Sequence, residues 1–374
     1  MKGATMKILV TGGAGFIGSH LVDALVRQGH AVTVLDNFEP QVHQGRRPPY
    51  LNSEAEYIEG DVRNRDTWIS LLRRNEVVFH EAASVGVAQS MYQISKYIDV
   101  NTLGTAYLCD CLVNERHSIR KCIIASSMSI YGEGTYRCPD CGEIYPSLRA
   151  ESQLILRKWE AECPLCGKTV TPVATTENKP LMATSIYALS KKDQEEMCMM
   201  IGVSYKIPVV ALRYFNVYGP RQSLSNPYTG ACAIFLSRIK NKKPPLIFED
   251  GLQARDFVYV DDIVRANLLA LSDTRFDYGI FNVGTGRLTT ILDIANTLIT
   301  LTGERVDPTV EHKFRIGDIR HCYADISKIT ALGYAPSVTL AEGFKELLAG
   351  TRDVKAEDRI EVAQQELNRR SLIR

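Results

Sequence analysis

The chain has 374 residues, 45% of them hydrophobic, which is enough to bury a large core as one big domain or two smaller ones and excludes a disordered chain. Lys and Arg number 44 against 43 Asp and Glu, so the charge balance speaks against a nucleic-acid or anionic-membrane partner, and any phosphate chemistry must be local. No segment approaches the about 18 uninterrupted apolar residues of a membrane span, and the N-terminus runs into a strand without a leader pattern, so a cytoplasmic protein is expected.

In chain order, β-branched runs at 7–10, 31–35, 57–58, 77–79, 122–125 and 209–212 alternate with helical patterns at 16–28, 65–74, 94–114 and 182–205. That alternation predicts βαβ units and an α/β fold with a doubly wound parallel sheet, Rossmann-like, over 1–213. The five residues before Met6 carry no part of this pattern. Past position 214 the chain breaks into shorter pieces rich in Pro and Gly, which predicts a smaller substrate-binding lobe over 214–352, with part of 258–284 returning to the Rossmann core. The charged stretch 353–374 carries Ile360, Val362 and Leu367 at helical spacing and reads as a helical tail on the surface.

The first chemical motif, Thr11-Gly12-Gly13-Ala14-Gly15-Phe16-Ile17-Gly18, follows the first strand and opens the first helix. Gly12, Gly15 and Gly18 permit a tight turn and let backbone approach a pyrophosphate, whose charge then meets unpaired N–H groups around Phe16 and Ile17. Asp36, with Asn37 beside it, stands at the end of the second strand, where a carboxylate accepts hydrogen bonds from an adenosine ribose. This favours NAD over NADP, although Arg46 and Arg47 lie nearby. The second motif, Tyr187-Ala188-Leu189-Ser190-Lys191, places Tyr and Lys four residues apart on one helix face. A free phenol has a pKa near 10; an adjacent ammonium and a positive nicotinamide ring would both favour the anion, so Tyr187 is a candidate base.

Four of the ten cysteines form two knuckles, Cys138-Pro139-Asp140-Cys141-Gly142 and Cys163-Pro164-Leu165-Cys166-Gly167. Each knuckle offers two thiolates to one tetrahedral ion, which predicts a closed, structural Zn2+ site in a ribbon over 136–170. Cys109, Cys111, Cys122, Cys198, Cys232 and Cys322 read as small buried hydrophobes.

Further stretches include Gly60-Asp61-Val62, His80-Glu81-Ala82-Ala83, Asn101 with Gly104-Thr105, and Ser126-Ser127 before Tyr131-Gly132. They continue as Arg213-Tyr214-Phe215-Asn216-Val217-Tyr218-Gly219-Pro220-Arg221, Arg255-Asp256-Phe257 and Arg315-Ile316-Gly317-Asp318. With these the chain resembles, over nearly its whole length, the extended short-chain dehydrogenase/reductases of the sugar-nucleotide epimerase and dehydratase family. The resemblance implies Asp61 and Val62 near the adenine, and Ala82, Ala83, Asn101, Tyr187 and Lys191 in the NAD site. It implies Ser127 on the reacting hydroxyl, Asn216, Arg255 and Arg315 on the substrate diphosphate, and Ser84, Val85, Met128, Arg221 and Cys322 among the remaining substrate contacts.

In the family's 4,6-dehydratases an Asp-Glu pair follows the serine; here Met128 and Ser129 stand there, and neither exchanges a proton at neutral pH, so dehydration lacks its catalyst. The UDP-glucuronate decarboxylases are disfavoured by the same substitution. What remains is 4-epimerisation of a nucleotide sugar by transient oxidation. Segments 84–90, 223–230 and 247–251 are most similar to dTDP-L-rhamnose 4-epimerases. UDP-hexose, UDP-N-acetylhexosamine or UDP-glucuronate 4-epimerisation is the alternative, because Cys322 is a small thiol where UDP-galactose 4-epimerases place a residue that limits pocket size. A non-catalytic NAD-binding sensor or interaction protein is the reading from another class. The segment between Tyr131 and Tyr187 is longer than the family's usual length, and this is where the knuckles lie. The likeness also implies a homodimer through helices 101–113 and 187–203, packed as a four-helix bundle.

Overall fold

The computed structural model describes residues 4–374. Each predicted strand forms and outruns its apolar run: β1 (Lys7–Thr11), β2 (Ala31–Asp36), β3 (Glu56–Glu59), β4 (Val77–His80), β5 (Lys121–Ser127) and β6 (Val209–Tyr214), joined by β7 (Ile280–Val283). At most of the carboxyl ends the added residues are polar, namely Thr11, Asp36, His80, Ser126, Ser127 and Arg213, and ladder hydrogen bonding keeps them in the strands although they lack the apolar signal. All pairings are parallel, in the order β3-β2-β1-β4-β5-β6-β7. The winding direction reverses between β1 and β4, and open α/β sheets bind ligands at such a switch point.

Two apolar layers cover the sheet. On one face, Leu21, Val22 and Leu25 of α1 (Phe16–Arg27) meet Val10, Val34 and Phe79. On the other, α2 (Arg65–Arg74), α3 (Gly104–Asn114) and α4 (Ile186–Tyr205) bury Trp68, Leu108 and Cys198 against Leu9, Leu35 and Val78. The helix predicted over 94–114 is interrupted by a π-helical segment, Ile98–Leu103, where the side chain of Asn101 turns inward and is wholly buried. Helix α4 starts at Ile186 rather than 182 because the Ser185 hydroxyl caps it, accepting from the Ala188 N–H at 3.1 Å.

The lobe beyond β6 has its own core, in which α5 (Ala231–Lys240), α7 (Ile291–Thr302) and α8 (Leu340–Gly350) enclose Phe235, Leu298 and Phe344. Between them in sequence, α6 (Val260–Ser272) packs Ile263 and Ala266 beside α1 in the sheet's own core. The cysteine-bearing insertion is a three-stranded antiparallel sheet, Thr135–Cys138, Gly142–Ile144 and Thr171–Val173, around Tyr136, Cys138, Cys163 and Val170. All six scattered cysteines are buried.

The tail does more than lie on the surface as a helix. After α9 (Ile360–Arg369) the chain turns extended, and Arg374 exchanges backbone hydrogen bonds with Phe314 at 3.0 Å in each direction, while the Ile316 N–H reaches the Leu372 carbonyl at 3.0 Å. The last residues thus pair with the segment that carries Arg315. Among the described residues, no helix is long and apolar enough to cross a membrane.

Candidate active site

The glycine turn lies between β1 and α1. Gly12 has φ +68°, and a Cβ there would stand 2.8 Å from the backbone N and Cα of Ala82; one on Gly18 would stand 2.3 Å from the Gly12 carbonyl oxygen. Glycine is therefore obligatory at both positions. Helix α1 begins at Gly15 with no side-chain cap and no acidic residue in its first turn, so its N–H groups are left for an anion. Asp36 accepts from the Ala14 N–H at 3.0 Å and from Phe38 at 2.9 Å, which stiffens the loop, and each oxygen keeps a second lone pair. Asn37 donates to Asp61 at 3.1 Å, and the Arg63 guanidinium clasps Asp61 at 2.9 and 2.8 Å, holding that carboxyl down at about 2. The Val62 carbonyl takes the Trp68 indole N–H at 2.7 Å. These residues form a rigid cradle that suits an adenosine and a pyrophosphate.

Ser127 at the end of β5, and Tyr187 and Lys191 in the first turns of α4, come together, with the Ser127 hydroxyl close enough to the phenol to oppose the rise in its pKa. Ser129 donates to the Ser127 oxygen from its hydroxyl at 2.9 Å and its N–H at 3.2 Å. The Lys191 ammonium donates to the Ala125 carbonyl and, at 2.8 Å, to Gln194. Gln194 in turn donates to Thr105 at 2.8 Å, and the imidazole of His80 spans Thr105 at 2.9 Å and Thr11 at 2.8 Å. Burial pushes Lys191 down to about 8 against the opposing pull of Glu81. Burial also raises the Tyr187 phenol above its ordinary value, and the nearby Ser127 hydroxyl offsets this only in part. The Lys191 ammonium is held by Ala125 and Gln194.

Asn101 donates to the Ser84 carbonyl at 3.1 Å and the Ser190 hydroxyl at 2.9 Å and accepts from the Ser84 N–H at 2.7 Å, which ties the Ser84 loop to α4. Arg221, with φ +67°, pairs with Asp23 of α1 at 2.7 Å and stacks over Tyr50 at 4.9 Å, on the flank of the glycine turn. Of the residues expected to meet the substrate, Asn216 has a buried side-chain amide oxygen with no partner among the described residues, and Arg255 and Arg315 are half-buried. Arg255 donates to the carbonyls of Ala254 and Arg320 at 2.8 Å and Ile319 at 2.7 Å; Arg315 pairs with Asp318 at 2.7 Å and stacks over Phe248. Met128 and Cys322 share one buried cluster with Tyr131 and Phe215, whereas Val85 is exposed. Thr184 and Ser185 line a crevice with Arg315 and, from the tail, Leu367 and Leu372.

Residues 8–152 and 164–284 match the NAD dependent epimerase/dehydratase family. The chain belongs to that family. It is 36% identical over 345 residues to the dTDP-L-rhamnose 4-epimerase of Burkholderia thailandensis, covering 91% of this chain and 93% of that one. The UDP-glucose 4-epimerase of Thermotoga maritima, solved with UDP-glucose, superposes with a TM-score of 0.75 at 32% identity over 93% of this chain and 99% of that one. The UDP-glucuronic acid 4-epimerase of Bacillus cereus, solved with UDP-glucuronic acid and NAD, gives 0.77 at 29% identity over 93% and 100%.

As a member of the epimerase/dehydratase family the chain is an NAD-dependent enzyme, and of the two reactions its residues support epimerisation, because no carboxylate follows Ser127. The family match breaks off over 153–163, inside the cysteine-bearing insertion. There the Sγ atoms of Cys138, Cys141, Cys163 and Cys166 all lie within 4.8 Å of one another, with Cys138 and Cys166 3.5 Å apart. Metal–sulfur bonds of about 2.3 Å in a tetrahedron give sulfur separations of about 3.8 Å, so the four thiols fit a zinc-sized ion. Sequence reasoning gave no role to Gln194, to Thr105 or to Ser90, whose hydroxyl accepts from the Tyr187 N–H at 3.0 Å; Gln194 lies one helical turn beyond Lys191, and Thr105 and Ser90 lie in stretches noted only for their resemblance.

Proposed function

We propose that this enzyme is a nucleotide-sugar 4-epimerase whose preferred substrate is dTDP-L-rhamnose. The observation that carries the reading is the Ser127, Tyr187 and Lys191 group beside a glycine cradle, without the acid pair that dehydration requires. Bound NAD supplies the acceptor and donor of a hydride at the sugar carbon. Tyr187 takes the proton of the C4 hydroxyl, with the Ser127 hydroxyl close by to hydrogen-bond the reacting oxygen. Lys191, fixed by Ala125 and Gln194, keeps a positive charge behind the site. The 4-keto sugar turns over while Asn216, Arg255 and Arg315 keep hold of the diphosphate, and the proton returns from Tyr187 once reduction has occurred on the other face. Likeness to the Burkholderia enzyme at 36% identity favours dTDP-L-rhamnose; the small Cys322 thiol favours UDP-N-acetylhexosamine, UDP-hexose or UDP-glucuronate as the alternative. We further infer that the four thiolates hold a structural Zn2+ and that α3 and α4 pair with a second copy as a homodimer.

Separate incubation with dTDP-L-rhamnose, UDP-glucose, UDP-N-acetylglucosamine and UDP-glucuronate tests the assignment; the 4-epimer of dTDP-L-rhamnose is expected to form fastest. Tyr187→Phe should lower turnover about 10³-fold with NAD content unchanged. Undiminished turnover in that variant overturns the mechanism.

A further inference from the structure

The cysteine-bearing insertion is tied to the lobe beyond β6 by a charge network buried at Arg149, Glu249 and Arg320 and half-exposed at Glu160. Arg149 forks onto Glu249 at 2.8 and 2.9 Å and reaches the Asp318 carbonyl at 3.1 Å. Arg320, 0% exposed, donates to Glu249 at 3.0 Å, to Asp250 at 2.7 and 2.9 Å, and to Glu160 at 3.1 and 2.5 Å. Glu160 also meets His321 at 3.1 Å. From the other end of the insertion, the Tyr136 hydroxyl donates to Glu133 at 2.6 Å, and Glu133 receives the N–H groups of Arg320 and His321. Buried ion networks of this kind are costly to desolvate and add little stability beyond what apolar side chains of the same volume would give. Such a network is better explained by what it positions.

What it positions is the pair of arginines read as diphosphate ligands. The carbonyls that hold Arg255 belong to Arg320 and its neighbour Ile319, and the residue paired with Arg315 is Asp318, whose own carbonyl takes Arg149. The other end of the linkage is the thiolate cluster. Glu160 precedes Cys163 by three residues, and that stretch is fixed by pairing of Ala161 with Val170 and of Cys163 with Lys168. Tyr136 precedes Cys138 by two residues.

We propose that the insertion is a positioning element for substrate binding: Arg149 and Glu160 set the Ile319–Arg320 carbonyls that aim Arg255, and a metal on the four thiolates keeps those two residues in register. The inference rests on the reading of Arg255 as a diphosphate ligand and of the thiolates as a metal site. In the full-length holoenzyme, Glu160→Gln is expected to weaken dTDP and UDP binding by about tenfold in calorimetry and to raise KM in parallel. Metal content, NAD content and kcat should stay close to wild type, and Glu160→Asp should restore part of the affinity. Chelator-stripped wild type should show the same selective loss. Unchanged dTDP and UDP affinity in both, with Arg255→Met still weakening it and metal loss verified, overturns the proposal alone. Purified protein without bound metal, or Arg255→Met with unaltered affinity, overturns the underlying reading and the proposal with it.

Discussion

His80 stands in the polar row beneath Lys191, 1% exposed, and burial, with the Lys191 charge second, pushes its imidazole down to about 3. The folded value lies below the unfolded one near 6.5, so between those two pH values the unfolded chain binds more protons. The stability that neutral His80 contributes is complete above pH 6.5 and is lost as pH falls, by about 1.4 kcal/mol per pH unit. His80→Gln should flatten the decline of the urea midpoint between pH 6.5 and 5; an unaltered slope would show that other groups govern it. In the sequence His80 stood out only as the first residue of the His80-Glu81-Ala82-Ala83 stretch, and its partners Thr11 and Thr105 arrive from elements 69 and 25 residues away. Tyr187 and Lys191 announced themselves because their relation is one helical turn. The surroundings of Asn101 and Arg221 were hidden for the opposite reason: what they touch within the protein is set by a π-helical segment and by a residue with positive φ, neither of which has a clear compositional mark.

The glycine turn can be read from sequence because its requirement is local. Gly12 and Gly29 both have positive φ, but a Cβ on Gly12 meets Ala82 backbone whereas one on Gly29 meets nothing within 4 Å. Gly29→Ala should therefore cost only the left-handed backbone penalty, about 1–2 kcal/mol, with NAD retained. Gly12→Ala should lose bound NAD as well as stability, and equal NAD occupancy in the two variants would remove the argument for a close-approach cradle. Strand positions were legible from their apolar runs. Their carboxyl ends, where most of the chemistry gathers, were not, since Ser126, Ser127 and Arg213 belong to β5 and β6 by hydrogen bonding and not by hydropathy. The interruption of the helix over 94–114 was hidden because the apolar pattern continues through it.

Helix α4 has two faces. Ala188, Lys191, Gln194 and Cys198 are buried, while Leu189, Met200 and Val203 form an apolar stripe 41–63% exposed, close in sequence to Tyr205 at 51%. An apolar helix face left open in one copy is consistent with the proposed dimer. Val203→Glu should shift the protein toward monomer in sedimentation while leaving the sheet core intact; an unchanged sedimentation coefficient would place the subunit contact elsewhere. The junction between insertion and lobe was not readable in the sequence, because Arg149, Glu160, Glu249 and Arg320 are ordinary surface residue types until the fold brings them together.

The pairing of Arg374 with Phe314 has a practical corollary. Arg374 also contacts Glu151 of the insertion at 3.0 Å, so anything fused behind it would emerge beside Arg315, which we propose as a ligand of the substrate diphosphate. An affinity handle at that terminus should inflate KM until it is cleaved off, whereas a handle ahead of Met6, at the start of β1, should be silent.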